Sequence, residues 1–247
     1  MKIYLITLVT MGFSFIVNEI EAQKNKPTID TTYSLDKISK LNSTYFILGT
    51  LNDYMGRYQY VGRNNQVDRY YPYEKPLMLY LDSLIENDFH IKLTTVKNET
   101  FSKDLSTILN SFYNDQDRLI DSLFKSTENI NSFLSGVYYR FGEKINSSIY
   151  KIQLANSSKH QICYKLLKRT GCNKIFYKYL KNIPAQFIFY FEPTEELRCC
   201  FDKLTVQKKK LDDSYEEQIQ SRYGMEIYGE MKKYGKKRNL LIGKLLK

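Results

Sequence analysis

Residues 130–154 are INSFLSGVYYRFGEKINSSIYKIQL, and the spacing of their apolar side chains changes halfway along. Apolar residues recur every three or four positions from Ile130 to Tyr138, which predicts a helix that ends near Gly142. Over residues 148–154 they alternate with polar residues, which predicts a strand. This one stretch therefore indicates a protein that contains both helices and a sheet.

Apolar patterns typical of helices and strands also occur before and after residues 130–154. Residues 57–73 show neither pattern and are expected to form an ordered loop. The fold class that we predict is α+β, predominantly α-helical with a small sheet of about three strands, in a single domain over residues 23–230. The further predicted elements are helices over residues 35–55, 76–85, 101–124 and from Thr194 onward, and strands over residues 89–94 and 186–192.

The N-terminus has the three-part layout of a secretory signal. Lys2 precedes an apolar run of 15 residues, Ile3–Val17, and the small residue Ala22 stands where cleavage would fall. We therefore interpret residues 1–22 as a signal peptide and expect a secreted or otherwise extracytoplasmic protein. An uncleaved membrane anchor is the alternative, although a spanning helix needs about 20 apolar residues.

The chain has a net charge of +10, and its C-terminal residues 231–247 form a basic amphipathic segment with seven cations and no acid. Such a segment suits contact with an anionic membrane or another polyanion. It is equally compatible with a terminal helix whose lysine side is solvated. The cations are Lys232, Lys233, Lys236, Lys237, Arg238, Lys244 and Lys247.

Four cysteines occur in the chain, Cys163, Cys172, Cys199 and Cys200. An even number in an exported protein favours disulfides. Cys199 and Cys200 are not expected to pair with each other, because so small a ring would be strained. Cys163 and Cys172 would then each pair with one of them, in either order. One bridge, or none, is also compatible with the sequence.

Only two histidines, His90 and His160, are available for acid–base chemistry. His160 lies three positions before Cys163 on a predicted helix, so the two could form a nucleophile with its base or half of a zinc site. The spacing of the cysteines matches no standard zinc pattern, and none of the common hydrolase or nucleotide-binding motifs occurs. We assign no catalytic residue, expect neither a metal nor a cofactor, and leave open whether the protein is an enzyme.

Four N-x-[ST] triplets are candidate glycosylation sites in an exported protein. Chance accounts for much of this number in a chain so rich in Asn, Ser and Thr. The asparagines are Asn42, Asn98, Asn146 and Asn156.

These observations lead us to expect an exported, non-enzymatic binding protein whose partner is a protein or an anionic surface, either membrane or glycan, contacted by the basic C-terminus. No feature indicates sequence-specific binding of nucleic acid. The alternatives are an exported hydrolase with a nonstandard active site, using His160 or carboxylates from separate elements, and a secreted effector or toxin.

Overall fold

A computed structural model describes residues 41–57, 65–172 and 174–245. Within them the chain forms seven α-helices and seven strands. The helices are α1 (Ser43–Thr50), α2 (Lys75–Phe89), α3 (Lys103–Asn110), α4 (Thr127–Phe141), α5 (Lys159–Arg169), α6 (Glu195–Asp202) and α7 (Thr205–Leu245). The strands are β1 (Gln66–Arg69), β2 (Thr94–Val96), β3 (Glu99–Phe101), β4 (Gly142–Lys144), β5 (Tyr150–Ala155), β6 (Ile175–Leu180) and β7 (Gln186–Phe191).

The predicted α+β class with a predominance of helix is confirmed, but the predicted sheet was too small. The described residues contain a three-stranded sheet of order β1-β3-β2 and a four-stranded sheet of order β4-β5-β7-β6, and every strand pair is antiparallel. Strands of three or four residues such as β1, β2, β3 and β4 are too short to show alternation. The longer strand β6 alternates poorly because four of its six side chains are exposed.

The centre of the fold is the pair of helices α1 and α4. Every residue from Ile130 to Arg140 is buried, so α4 is enclosed on all sides. A Cβ atom on Gly136 would overlap the carbonyl oxygen of Phe46 on α1, and a Cβ atom on Gly49 would overlap that of Phe133 on α4. Glycine at both positions therefore lets the two helix backbones touch.

Three predicted elements have different boundaries in the structure. The helix expected over residues 35–55 ends at Thr50, where the ammonium group of the buried Lys159 donates hydrogen bonds to the carbonyls of Gly49 and Leu51. The helix expected over residues 101–124 ends at Asn110 and is followed by turns. The strand expected over residues 89–94 begins only at its last residue, because α2 continues to Phe89. Ser34, which precedes that first predicted helix and suits its N-cap, lies outside the described residues.

The four-stranded sheet has helices on both faces. On one face α5 packs against β7, where His160 stacks on Phe187 with ring centroids 3.6 Å apart. On the other face Ile242 of α7 lies in a buried cluster with Ile188 and Tyr190 of β7. This arrangement leaves β6 as an edge strand beside α5.

The C-terminal helix α7 changes direction at Gly224, whose φ of 80° is outside the helical range. The predicted basic segment from residue 231 onward continues this helix, and its boundary as a separate unit stays a prediction. Among the described helices, none combines the length and hydrophobicity that crossing a bilayer requires. The predicted signal peptide, residues 1–22, lies outside the described residues and also stays a prediction.

Candidate functional site

The four-stranded sheet and α5 come from a part of the chain with an extreme charge balance. Between Glu143 and Glu192 the sequence contains no acidic residue and nine lysines and arginines. A run of this length with one sign of charge creates a positive potential at whatever surface it forms. The surface that it forms depends on which of these cations stay solvated.

Six of the nine cations contact carbonyl or carboxylate groups of the protein itself. Lys159 is fully buried and donates to backbone carbonyls at the end of α1. The other five face carboxylates: Lys144 faces Asp202, Lys151 faces Glu143, Lys165 and Arg169 face Asp121, and Lys174 faces Glu192.

The remaining three cations, Lys168, Lys178 and Lys181, are exposed and form no ion pair with any described residue. Lys168 lies on α5, Lys178 on the edge strand β6, and Lys181 directly after it. These three ammonium groups are therefore available to an anion from solution.

Three half-exposed tyrosines lie among these lysines. Tyr164 on α5 is 40% exposed, and Tyr177 and Tyr179 on β6 are 41% and 51% exposed. The ring centroids of Tyr164 and Tyr177 are 6.1 Å apart, and the Lys168 ammonium lies 5.6 Å from the Tyr164 ring centre. We call this surface the aromatic–basic edge, and its six residues are Tyr164, Lys168, Tyr177, Lys178, Tyr179 and Lys181.

Buried and half-buried rings of β7 lie beside the two tyrosines of β6, on the same face of the sheet. Tyr177 contacts Phe189 at a centroid distance of 5.1 Å, and Tyr179 stacks on Phe187 at 5.3 Å. Phe187 also stacks on His160, whose ring lies parallel to it. Each of the two tyrosine rings thus packs against an aromatic neighbour, which restricts its orientation.

His160 belongs to this group of aromatic rings. Burial lowers the pKa of His160, and its Nδ1 lies 2.7 Å from the carbonyl oxygen of Ser157. The neutral ring with Nδ1–H donating to that carbonyl satisfies both observations. Cys163 is fully buried, and burial raises its pKa to about 12, so it is a thiol at neutral pH rather than a nucleophilic thiolate. The other histidine, His90, is exposed at the end of α2.

A second concentration of charge lies inside the fold, at the carboxyl ends of α1 and α4. The Arg140 guanidinium donates to Asp68 and Glu74 at 2.6 Å and to the Thr50 carbonyl at 2.8 Å. Burial lowers the pKa of Arg140, but the two carboxylates outweigh it and raise that pKa above its usual value. Because Arg140 and its partners are buried and in contact, this cluster connects the end of α1, the strand β1 and the helix α4.

Beside it, Lys159 lies 3.7 Å from Asp53, which accepts a hydrogen bond from Ser157. Desolvation lowers the pKa of Lys159, and Asp53 opposes this. Within the described ranges no three His, Cys, Asp or Glu side chains are grouped so that they could hold a metal ion.

All four cysteines are free, so the predicted disulfides are wrong. Cys163 points into the core from α5 and Cys172 is buried just after that helix, whereas Cys199 faces solvent on α6. Cys200, its neighbour on α6, is buried instead. The helix geometry thus separates two side chains that are adjacent in sequence, and neither reaches the cysteines near α5.

The predicted polyanion-contact residues lie on the last part of α7. Lys232 pairs with Glu216 at 2.9 Å and Lys233 with Glu230 at 3.9 Å, so two of these cations have partners within the helix. Arg238 lies near Tyr190, whose pKa burial raises and Arg238 lowers. Lys236, Lys237 and Lys244 are exposed. Lys247 lies outside the described residues.

The four predicted glycosylation sites differ in accessibility. Asn98, Asn146 and Asn156 are exposed. Asn42 is half-buried and caps α1, where its side chain accepts from the Tyr45 backbone N–H. Glycosylation at any of them stays a prediction.

No protein-family model matches the chain, and no curated protein matches it. Among solved structures, similar chains are those of I-DmoI in complex with DNA and Mn (13% identity, TM-score 0.42, covering 66% of this chain and 94% of that one) and mesophilic variants of the homing endonuclease I-DmoI (12%, 0.42, 63% and 91%). A complex of I-DmoI with DNA and Ca is similar at 15% identity and a TM-score of 0.39. Likeness this weak assigns the chain no family, activity or partner.

The function that we expected from the sequence finds no support among these neighbours. Two of them are complexes of I-DmoI with DNA, whereas we expected an exported, non-enzymatic protein that contacts a protein or an anionic surface, without sequence-specific binding of nucleic acid. That interpretation is therefore corrected and not carried further. The disulfides expected with it are corrected as well, because all four cysteines are free. No neighbour supports the expected signal and secretion, and the described residues do not test them.

The aromatic–basic edge was not predicted from the sequence, although a signal for it was present. The acid-free run between Glu143 and Glu192 is longer than the basic segment at residues 231–247, and within it FYKYLK at residues 176–181 interleaves rings with lysines. Such interleaving is typical of surfaces that bind nucleic acid. The buried cluster around Arg140 has no comparable signal, because the sequence does not distinguish a buried arginine from a solvated one.

Proposed function

We propose that this chain binds nucleic acid through the aromatic–basic edge. The observation that carries the proposal is the combination of three exposed lysines without an ion pair and three half-exposed tyrosines on the edge strand β6, just after it and on the neighbouring helix α5, in a part of the chain without acids. Lysines neutralise phosphates, and flat rings stack on bases or pack on sugars.

The segment that forms the edge contains no acidic residue between Glu143 and Glu192. The nearest acids in sequence, Glu143 and Glu192, already face Lys151 and Lys174. A polyanion that approaches Lys168, Lys178 and Lys181 therefore meets no competing negative charge from this segment. The net charge of +10 steers such a polyanion toward the protein over a distance set by the salt concentration.

The position of β6 suits a long, narrow ligand. Since β6 is the edge strand, side chains on both of its faces border the solvent: Tyr177 and Tyr179 on the face shared with α5, Lys178 on the other. A phosphate backbone that follows the strand can contact Lys178 and Lys181 while its bases or sugars contact the tyrosines.

The test is a salt titration of binding with a triple variant, Lys168→Gln, Lys178→Gln and Lys181→Gln. Fluorescence anisotropy of a labelled 20-nucleotide DNA, single-stranded and duplex in separate assays, measures Kd between low and physiological salt. We expect the triple variant to bind the preferred form roughly tenfold more weakly and to lower the slope of log K against log salt by about two to three, since each phosphate contact contributes close to one.

A matched control removes the same charge elsewhere. Lys92, Lys97 and Lys103 are exposed on and near the three-stranded sheet, and they form no ion pair with any described residue. Their replacement by Gln lowers the net charge equally and should change Kd by less than about threefold. Equal weakening by the two triple variants, or no binding of either DNA form by the parent protein at low salt, would overturn the proposal.

A further inference from the structure

We infer that the ligand of the aromatic–basic edge is single-stranded nucleic acid, recognised by stacking of unpaired bases on Tyr164, Tyr177 and Tyr179. This inference rests on the proposed function and specifies the form of nucleic acid. It follows from how the three rings are held, from their spacing, and from what a duplex can offer to them.

Each of the three rings has an aromatic neighbour on β7. Tyr177 and Tyr179 each pack beside a phenylalanine of that strand, with interplanar angles of 39° and 30°. Tyr164 lies nearly parallel to Phe189 at an angle of 23° and a centroid distance of 6.4 Å. Because each ring packs against such a neighbour, ordering the rings on binding costs little entropy.

The spacing of the rings suits consecutive bases. Tyr177 and Tyr179 are two residues apart on the same strand, which places them roughly 6.6 Å apart along it. The centroid of Tyr164 is 6.1 Å from that of Tyr177. The three rings are therefore neighbours on one surface, with Tyr164 inclined at 53° to Tyr177 and each ring between 40% and 51% exposed.

A duplex cannot use such a set of rings. In a double helix each base face is covered by the neighbouring base pair, and only base edges are open in the grooves. Flat rings stack on bases only when these are unpaired and splayed from one another, as in other sheets that carry aromatic platforms for single strands. The lysines beside the rings then contact the backbone of the same strand.

The side-chain chemistry of the edge also indicates tolerance of base sequence. Its rings offer π-faces, and its lysines carry only donors, directed at phosphates. Every base has a π-face, so stacking discriminates weakly between bases. We therefore expect binding of single strands of differing sequence with similar Kd.

The experiment compares a single-stranded 20-mer with a duplex of the same sequence and length, by anisotropy competition in one buffer. The parent protein should bind the single strand at least about tenfold more tightly. A double variant, Tyr177→Leu with Tyr179→Leu, keeps an apolar contact with β7 and all three lysines. It should weaken single-strand binding at least about tenfold, leave duplex binding within about twofold, and leave the salt slope unchanged.

The control variant is Tyr223→Leu with Tyr234→Leu, two exposed tyrosines of α7, which should bind both forms as the parent does. Circular dichroism confirms that each variant is folded. Equal affinity of the parent for single strand and duplex, or equal loss of both in the Tyr177/Tyr179 variant, overturns this inference while the proposed function stands. Failure of the parent to bind either form overturns both.

Discussion

The environment of His160 sets its charge. Its ring stacks on Phe187, and its Nδ1–H donates to the Ser157 carbonyl. Burial lowers its pKa, an effect that the hydrogen bond to Ser157 and the charge of Asp53 only partly oppose. The folded protein therefore holds His160 neutral where the unfolded chain, with a histidine pKa of about 6.5, begins to protonate it.

This environment predicts how stability depends on pH. Below pH 6.5 the unfolded chain binds more protons than the folded one, so the free energy of unfolding falls as the pH drops through that value toward the lower pKa of the folded state. Replacing His160 with Gln should flatten this dependence between pH 7 and pH 5, measured by urea unfolding. The matched variant His90→Gln, at an exposed site, should keep it. Parallel curves for parent and His160→Gln would contradict this account.

Burial also explains the cysteine chemistry. Cys163 packs among apolar residues of the main core cluster, where its raised pKa keeps the thiol protonated. Burial raises the pKa of Cys200 as well. Neither thiol is thus activated for disulfide exchange or metal binding at neutral pH. An even number of cysteines was a weak guide here, since their pairing depends on distances that the sequence does not contain.

At the scale of elements, the contact between α1 and α4 is the tightest in the described structure that involves two helices. Gly49 and Gly136 lie where these helices meet, and each Cα faces the backbone of the other helix. The carbonyl oxygens in contact with them belong to rigid helix backbone, so no side-chain rotation can make room for a methyl group.

Gly136→Ala is therefore expected to destabilise the protein by about 1–3 kcal/mol or more, because its Cβ would overlap the Phe46 carbonyl. Gly229→Ala on α7 is the control, since nothing lies within 4 Å of a Cβ built there. It should be neutral or stabilise the helix by up to about 1 kcal/mol. Urea unfolding of the two variants measures both values. A Gly136→Ala variant as stable as the parent would show that the helices can separate without cost.

Across the whole molecule, Arg140 connects the first half of the chain to the second. From α4 it reaches Thr50 at the end of α1, Asp68 on β1 and Glu74 in the short 3-10 turn that precedes α2. Its guanidinium is fully buried, and the side chains of its ion pairs, Asp68 and Glu74, both lie before residue 80. One side chain thus fixes how the three-stranded sheet sits against the central helices.

Arg140→Leu should lower the free energy of unfolding by about 3–5 kcal/mol, because Asp68 and Glu74 would remain buried without a counter-charge. Arg222→Leu makes the same chemical change at an exposed position of α7 and should stay within about 0.5 kcal/mol of the parent. The two values come from urea unfolding followed by circular dichroism. A loss of less than about 1 kcal/mol for Arg140→Leu would mean that water or a rearranged carboxylate replaces the guanidinium.

How far the sequence predicts this fold depends on the element. The helices α2 and α4 and the strand β5 have clear apolar periods, and β7 is a short continuous apolar run. Thr194, where we expected the C-terminal helical region to begin, caps α6. Strands β1, β3 and β4 depend instead on pairing with a partner strand, which no window of sequence contains. The edge strand β6 was not predicted, because its tyrosines and lysines are exposed and do not alternate with buried residues.

The sequence by itself determined the periodic helices and strands, the helix caps and the excess of positive charge, because these depend on residues close together along the chain. Only the tertiary structure decided which charges are buried and which are solvated. Lys159 and Lys168 are the same residue type on the same helix α5. Packing places the first against the carbonyls at the end of α1 and leaves the second beside Tyr164 at the surface, where an anion can reach it.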